Sequence, residues 1–143
     1  MHIEREVKER IFWLIFLSVA LIFTRLFALF NAGALFPIFE GLWRGWMAKE
    51  LLEGARWWSI FNNPYFPAEG GSVVTGYLAA LFFSMFGDSL LSLLFVPLLF
   101  SLLILATFYL FLERYFNRYV AVIFSFLFIF APPDFFRFSL LAN

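Results

Sequence analysis

Four apolar stretches occupy most of the 143 residues, at 11–30, 72–87, 89–112 and 119–141. A transmembrane helix needs roughly 20 apolar residues, so three of these stretches are long enough to cross a bilayer, whereas 72–87 is short for a full crossing. In hydrocarbon the backbone polar groups must be bonded within the segment, which favours helices. The sequence therefore predicts an all-α membrane protein.

The composition agrees with a membrane protein and argues against several other classes of protein and site. Hydrophobic residues make up 64% of the chain and charged residues 14%, against about 45–50% and about 25% in soluble domains. A formal net charge of zero gives no support to a nucleic-acid partner. The chain has no Cys, and its one His is His2, which argues against a thiolate or His-based metal site and a Ser-His-Asp triad.

The Lys and Arg residues beside the apolar stretches set the expected orientation. If 72–87 lies at the interface or re-enters, three spans place Arg5, Lys8, Arg10, Arg114 and Arg118 on one side, which the positive-inside rule makes cytoplasmic. If 72–87 crosses, there are four spans and the 113–118 turn moves outside. The favoured layout is a cytoplasmic lead-in (1–10), spans at 11–30, 89–112 and 119–141, an outer loop with interfacial helices (31–88) and a cytoplasmic turn (113–118).

The first span contains Arg25, near its outer end, where a long side chain can reach the headgroups. A signal peptide is the alternative, because Ala32-Gly33-Ala34 resembles a cleavage site. The apolar run is longer than the usual 7–15 residues of a signal peptide, and further apolar segments follow. We therefore interpret 11–30 as a retained span.

The outer loop holds the sharpest candidate for chemistry, Glu40. At about 100° per residue on a helix, Lys49, Glu53 and Arg56 share one face, which we interpret as solvated. Glu40 and Arg44 fall on the opposite side, four residues apart, where they can pair. The simple interpretation is an interfacial ion pair. The functional one is a general base or a substrate-orienting carboxylate at a membrane-facing cleft.

A second candidate region is Tyr65 together with Glu69, Gly70 and Gly71. The glycines allow a close backbone approach, and Ser72 is a suitable N-cap for the helix that follows. Turn formation and capping explain these residues structurally, whereas a sugar or anion contact at the helix start is the functional interpretation. Tyr65 is suited to stacking on a sugar or to interfacial anchoring.

The order of these features resembles the N-terminal module of GT-C fold glycosyltransferases, which take sugars from polyprenyl-phosphate carriers and include protein O-mannosyltransferases and aminoarabinose transferases. The resemblance starts near residue 11. Phe39-Glu40 matches the acidic position of the first outer loop, and residues 67–72 resemble a Gly-Gly-Ser motif of bacterial relatives. Residues 78–87 match a juxtamembrane helix, 113–118 a basic cytoplasmic turn, and 131–133 the approach to the second outer loop.

The resemblance implies an inverting transferase in the inner (plasma) membrane, with Glu40 as the carboxylate that activates or orients the acceptor hydroxyl. Arg44, Tyr65, Glu69, Gly70 and Gly71 would contact substrate. The lipid-linked sugar would be the substrate. The resemblance implies no cofactor and, as in many such enzymes, no metal, although the oligosaccharyltransferase branch requires one.

Because the family's second outer loop would follow residue 143, we expect the chain to be an N-terminal fragment. Its partners would be the bilayer, the polyprenyl-phosphate sugar and the remaining transmembrane helices of the parent chain. The fragment alone is expected to be inactive. The alternative is a non-enzymatic polytopic membrane protein, either a transporter or flippase or an assembly subunit. A transporter would carry ionisable residues in its spans, where this chain has almost none apart from Arg25.

Overall fold

The computed structural model describes residues 2–31, 38–54 and 71–131. These ranges contain five helices: α1 (His2–Asn31), α2 (Ile38–Leu52), α3 (Gly71–Phe86), α4 (Leu90–Tyr115) and α5 (Arg118–Ile129). All the regular secondary structure in the described ranges is helical, which confirms the predicted all-α class.

Two helices are long and apolar enough to cross a membrane, over Glu4–Phe27 of α1 and Leu90–Tyr115 of α4. Their mean hydropathies are 1.9 and 2.6. They correspond to the predicted spans at 11–30 and 89–112, and they support a membrane location without indicating which membrane or orientation.

The further spans predicted from the sequence are not confirmed. α3 has 16 residues and α5 has 12, which at 1.5 Å per residue correspond to about 24 Å and about 18 Å. Both are shorter than the hydrocarbon core of roughly 30 Å. The predicted span at 119–141 is helical only to Ile129 within the described residues, and 132–141 lie outside them.

The chain divides into two compact units, and the first comprises residues 1–34 and 99–136. Its core is made of buried apolar side chains from three helices: Leu17, Leu21, Leu105, Tyr109, Ala121 and Ile129. Arg25, expected at the headgroups, is instead 1% exposed and hydrogen-bonds to backbone carbonyls of α5. The outward orientation predicted for Arg25 was therefore wrong.

The second unit comprises residues 35–98 and 137–143, and its main packing is between α2 and α3. Its buried cluster is rich in small side chains: Ala48, Ala79, Ala80, Phe83, Leu93 and Val96. A Cβ atom at Gly76 of α3 would lie 2.5 Å from Met47 Sδ of α2. Glycine at this position therefore allows the two helices to approach closely.

Local signals determine where these helices begin and end. α2 and α3 are followed by Gly54 (φ +92°) and Gly87 (φ +85°), in the left-handed region that glycine adopts without steric cost. The Ser89 hydroxyl accepts a hydrogen bond from Ser92 N at 3.2 Å, and the Asn117 side chain accepts one from Val120 N at 2.9 Å. Such bonds pair amide groups that the first turn of a helix otherwise leaves unsatisfied.

Three of the boundaries predicted from the sequence differ from those in the structure. α2 ends at Leu52, so the helix considered over 39–56 is shorter. α3 begins at Gly71, which places Ser72 in its first turn instead of at the N-cap. The turn expected at 113–118 is reduced to Phe116 and Asn117, because α4 continues to Tyr115 and α5 starts at Arg118.

Candidate functional site

The first predicted site lies on α2, which holds both Glu40 and Arg44. Residues four apart on a helix lie on the same face, about 6 Å apart along the axis. The backbone therefore places Glu40 one turn before Arg44, as the sequence predicted. The Glu40 side chain lies outside the part of the structure that is described in atomic detail.

Arg44 lies on the packed face of α2. It is 7% exposed, and Met47 and Ala48 on the same helix are 1% and 0% exposed. Lys49 and Glu53 are exposed to solvent. Lys49 and Arg44 therefore lie on the exposed and the packed side of α2, as predicted, whereas Arg56 lies outside the described residues. Burying a guanidinium is costly unless polar groups surround it.

The other predicted substrate contacts are not assembled by the described residues. Tyr65, Glu69 and Gly70 lie outside them. Gly71 is the first residue of α3. A grouping of these residues with Glu40 and Arg44 therefore stays a prediction.

The structure adds an ion pair that the sequence did not suggest, between Lys49 of α2 and Asp88 in the turn before α4. Lys49 Nζ lies 2.5 Å from Asp88 Oδ2, and both side chains are about half exposed. The hydrogen bond to Asp88 raises the pKa of the Lys49 ammonium group above its ordinary value. The bond therefore favours the charged, donating form of Lys49. Only the packing of α2 against α3 brings the two residues together.

A second group of charges, absent from the predicted site, ties the helices of the first unit together. Arg10 Nε donates to Glu113 Oε2 at 2.6 Å, and Arg118 Nε donates to Glu113 Oε1 at 3.2 Å. Arg118 also donates to Glu9, which accepts from Arg5 at 3.0 Å. Signs alternate along this chain of ion pairs. The Glu113 side chain is only 8% exposed, so the arrangement is part of the packing between α1, α4 and α5.

Within residues 2–31, 38–54 and 71–131, no three His, Asp or Glu side chains are grouped as metal ligands would be. Comparison with protein-family models, curated proteins and solved structures gives no match to the chain.

Proposed function

We propose that this protein is a membrane-embedded glycosyltransferase, which moves a sugar from a polyprenyl-phosphate carrier to an acceptor at the outer face. Glu40 would accept the proton of the acceptor hydroxyl or orient that hydroxyl for attack. The carrier is a substrate, and the proposal requires no metal. The membrane would be the inner (plasma) membrane, with the N-terminus in the cytoplasm.

The observation that supports this proposal best is the burial of Arg44 one helical turn after Glu40. An exposed guanidinium would lie in water, where an ion pair contributes little. A buried cation stabilises a neighbouring carboxylate in its charged, proton-accepting form. It is also suited to hold an anionic group of a substrate. α2 follows the membrane-length helix α1 after six residues, which suits a site close to the membrane surface.

The main alternative function is that of a transporter. Arg25, in the apolar part of α1, would favour it, because an ionisable residue within a span often lines a transport pathway. The guanidinium of Arg25 donates to the carbonyl oxygens of Ile129 and Phe128. Bonds to the end of a neighbouring helix give this charge a structural role. The transferase proposal is therefore preferred.

The test is a transfer assay on the full-length gene product in lipid nanodiscs, with polyprenyl-phosphate mannose and polyprenyl-phosphate aminoarabinose as donors. Glu40→Gln keeps the size of the side chain and removes its charge. We expect the rate of the chemical step to fall by roughly 10²–10⁴-fold, the usual contribution of a positioned base. Carrier binding, measured separately, should change far less.

Glu4→Gln is the matched control, since Glu4 is exposed on α1 and pairs only with the exposed Lys8 in the contacts described. It should leave turnover unchanged. Near-wild-type turnover of a folded Glu40→Gln protein would remove Glu40 from the mechanism. Absence of transfer by the wild-type protein from either donor would contradict the proposed function itself.

A further inference from the structure

An open cleft of about 580 Å³ lies in the second unit, beside the N-terminal end of α4. It combines charged and apolar side chains, among them Trp46, Lys49, Glu53, Asp88, Leu90 and Leu93. None of these residues belongs to the site proposed for sugar transfer. All of them lie within one compact unit.

The apolar side of the cleft is suited to contact with lipid. Trp46 is 62% exposed and Leu90 is 53% exposed, whereas Leu93, which also lines the cleft, is buried. Leu90 is the first residue of α4, a helix long and apolar enough to cross a membrane. If α4 crosses, as the proposed function requires, its first residue lies at the boundary between hydrocarbon and headgroups. Tryptophan is enriched at that depth.

The polar side of the cleft carries an excess of negative charge. Lys49 supplies one positive charge, and Asp88 and Glu53 supply two negative charges. Lys49 is held against Asp88 at 2.5 Å. The net charge of the cleft is therefore that of one carboxylate, which disfavours a ligand with a net negative charge and favours one that carries an ammonium group without a net negative charge.

We propose that this cleft binds the headgroup of a phosphatidylethanolamine molecule. The primary ammonium group offers three N–H donors, which the carboxylates of Glu53 and Asp88 can accept. The phosphate would lie beside the Lys49 ammonium, and the glycerol and upper acyl chains would lie against Trp46 and Leu90. A zwitterionic lipid adds no net charge to the cleft. Phosphatidylglycerol adds a negative charge, and the choline group has no N–H to donate.

The experiment is native mass spectrometry of the purified wild-type protein, released from nanodiscs that contain equal amounts of phosphatidylethanolamine, phosphatidylcholine and phosphatidylglycerol. We expect the retained lipid to be enriched at least about fivefold in phosphatidylethanolamine over each of the others, which corresponds to about 1 kcal/mol. Equal retention of the three lipids, or a preference for either of the other two, would overturn the proposal.

Two charge variants test the position of the site. Glu53→Lys changes the net charge of the cleft from negative to positive and should transfer the preference to phosphatidylglycerol. Glu4→Lys makes the same change of charge on α1, outside the cleft, and should keep the preference for phosphatidylethanolamine. A Glu53→Lys protein that keeps its helical circular-dichroism spectrum and still prefers phosphatidylethanolamine would also overturn the proposal. Lipid retention is measured without a sugar donor, so its failure is distinct from a failure of the transferase proposal.

Discussion

The guanidinium of Arg25 donates a hydrogen bond to the carbonyl oxygen of Ile129, the last residue of α5, at 3.3 Å. A second bond reaches the carbonyl oxygen of Phe128 at 3.4 Å. The last carbonyls of a helix have no partners within it and carry the negative end of the helix dipole. Arg25 therefore acts as a cationic cap that joins α1 to the C-terminal end of α5.

Removing this cap should loosen the end of α5. Arg25→Met keeps much of the length of the side chain but has no donor for the two carbonyls. We expect the free energy of unfolding to fall by about 1–3 kcal/mol, the cost of leaving buried acceptors unsatisfied. The amide of Phe130, which bonds to the carbonyl oxygen of Phe126, should exchange its hydrogen faster in mass-spectrometric measurements. Arg114→Met, at an exposed position of α4, is the control and should change neither quantity. Unchanged exchange in Arg25→Met would contradict the capping role.

Glu113 is expected to be the most sensitive member of the charged group that ties α1, α4 and α5 together. Glu113→Gln removes the charge that separates Arg10 from Arg118, both of which bond to it. Two cations would then face each other around a nearly buried side chain. We expect the free energy of unfolding to fall by about 1.5–3 kcal/mol, the range for hydrogen bonds to charged groups. Thermal unfolding in detergent measures this change in stability. Glu4→Gln, in an exposed pair with Lys8, should cost at most about 0.5 kcal/mol, and equal effects would show that burial is irrelevant here.

The close contact of α2 with α3 predicts opposite effects at two helical glycines. Gly76→Ala places a Cβ atom 2.5 Å from Met47 Sδ, so the flexible but buried Met47 side chain must move. Overpacking of a core costs about 1–3 kcal/mol, and the better helix propensity of alanine offsets about 1 kcal/mol of this. Gly45→Ala meets its nearest atom, on Leu93, at an ordinary 3.5 Å, so it should be neutral or stabilising. Thermal unfolding compares the two variants. Adding Met47→Ala should reduce the cost of Gly76→Ala, since the clash then disappears. A more stable Gly76→Ala protein would contradict this packing.

Topology can be tested by labelling single cysteines, because the natural chain has none. Glu53→Cys follows α2 and Phe116→Cys lies in the turn between α4 and α5, both at exposed positions. These positions also leave the N-caps Ser89 and Asn117 intact. We expect a membrane-impermeant maleimide, added from outside, to label Glu53→Cys and not Phe116→Cys, since the three-span arrangement gathers the basic residues in the cytoplasm. Labelling of both would favour the four-span alternative.

The helical class, the two membrane-length helices and the faces of α2 could be predicted from the sequence alone. Each of these depends on a local property: the length of an apolar run for α1 and α4, and the rotation of about 100° per residue for α2. Arg44 is buried and Lys49 is exposed for that reason. The end of α2 was misjudged, although Gly54 marks it, because a single glycine after a charged residue is a weak signal in a sequence.

Only the tertiary structure decided what the charged side chains do. Arg25 near a helix end can reach headgroups or a neighbouring helix, and the local sequence is the same in both cases. Because α1 packs against α5, the Arg25 side chain contacts the neighbouring helix. Likewise, Glu113 becomes nearly buried because α1 and α5 supply arginines to it, and Lys49 meets Asp88 because α2 packs on α3. Hydropathy and periodicity act within one segment, whereas these contacts join residues far apart in the chain, so their free energy depends on the fold as a whole.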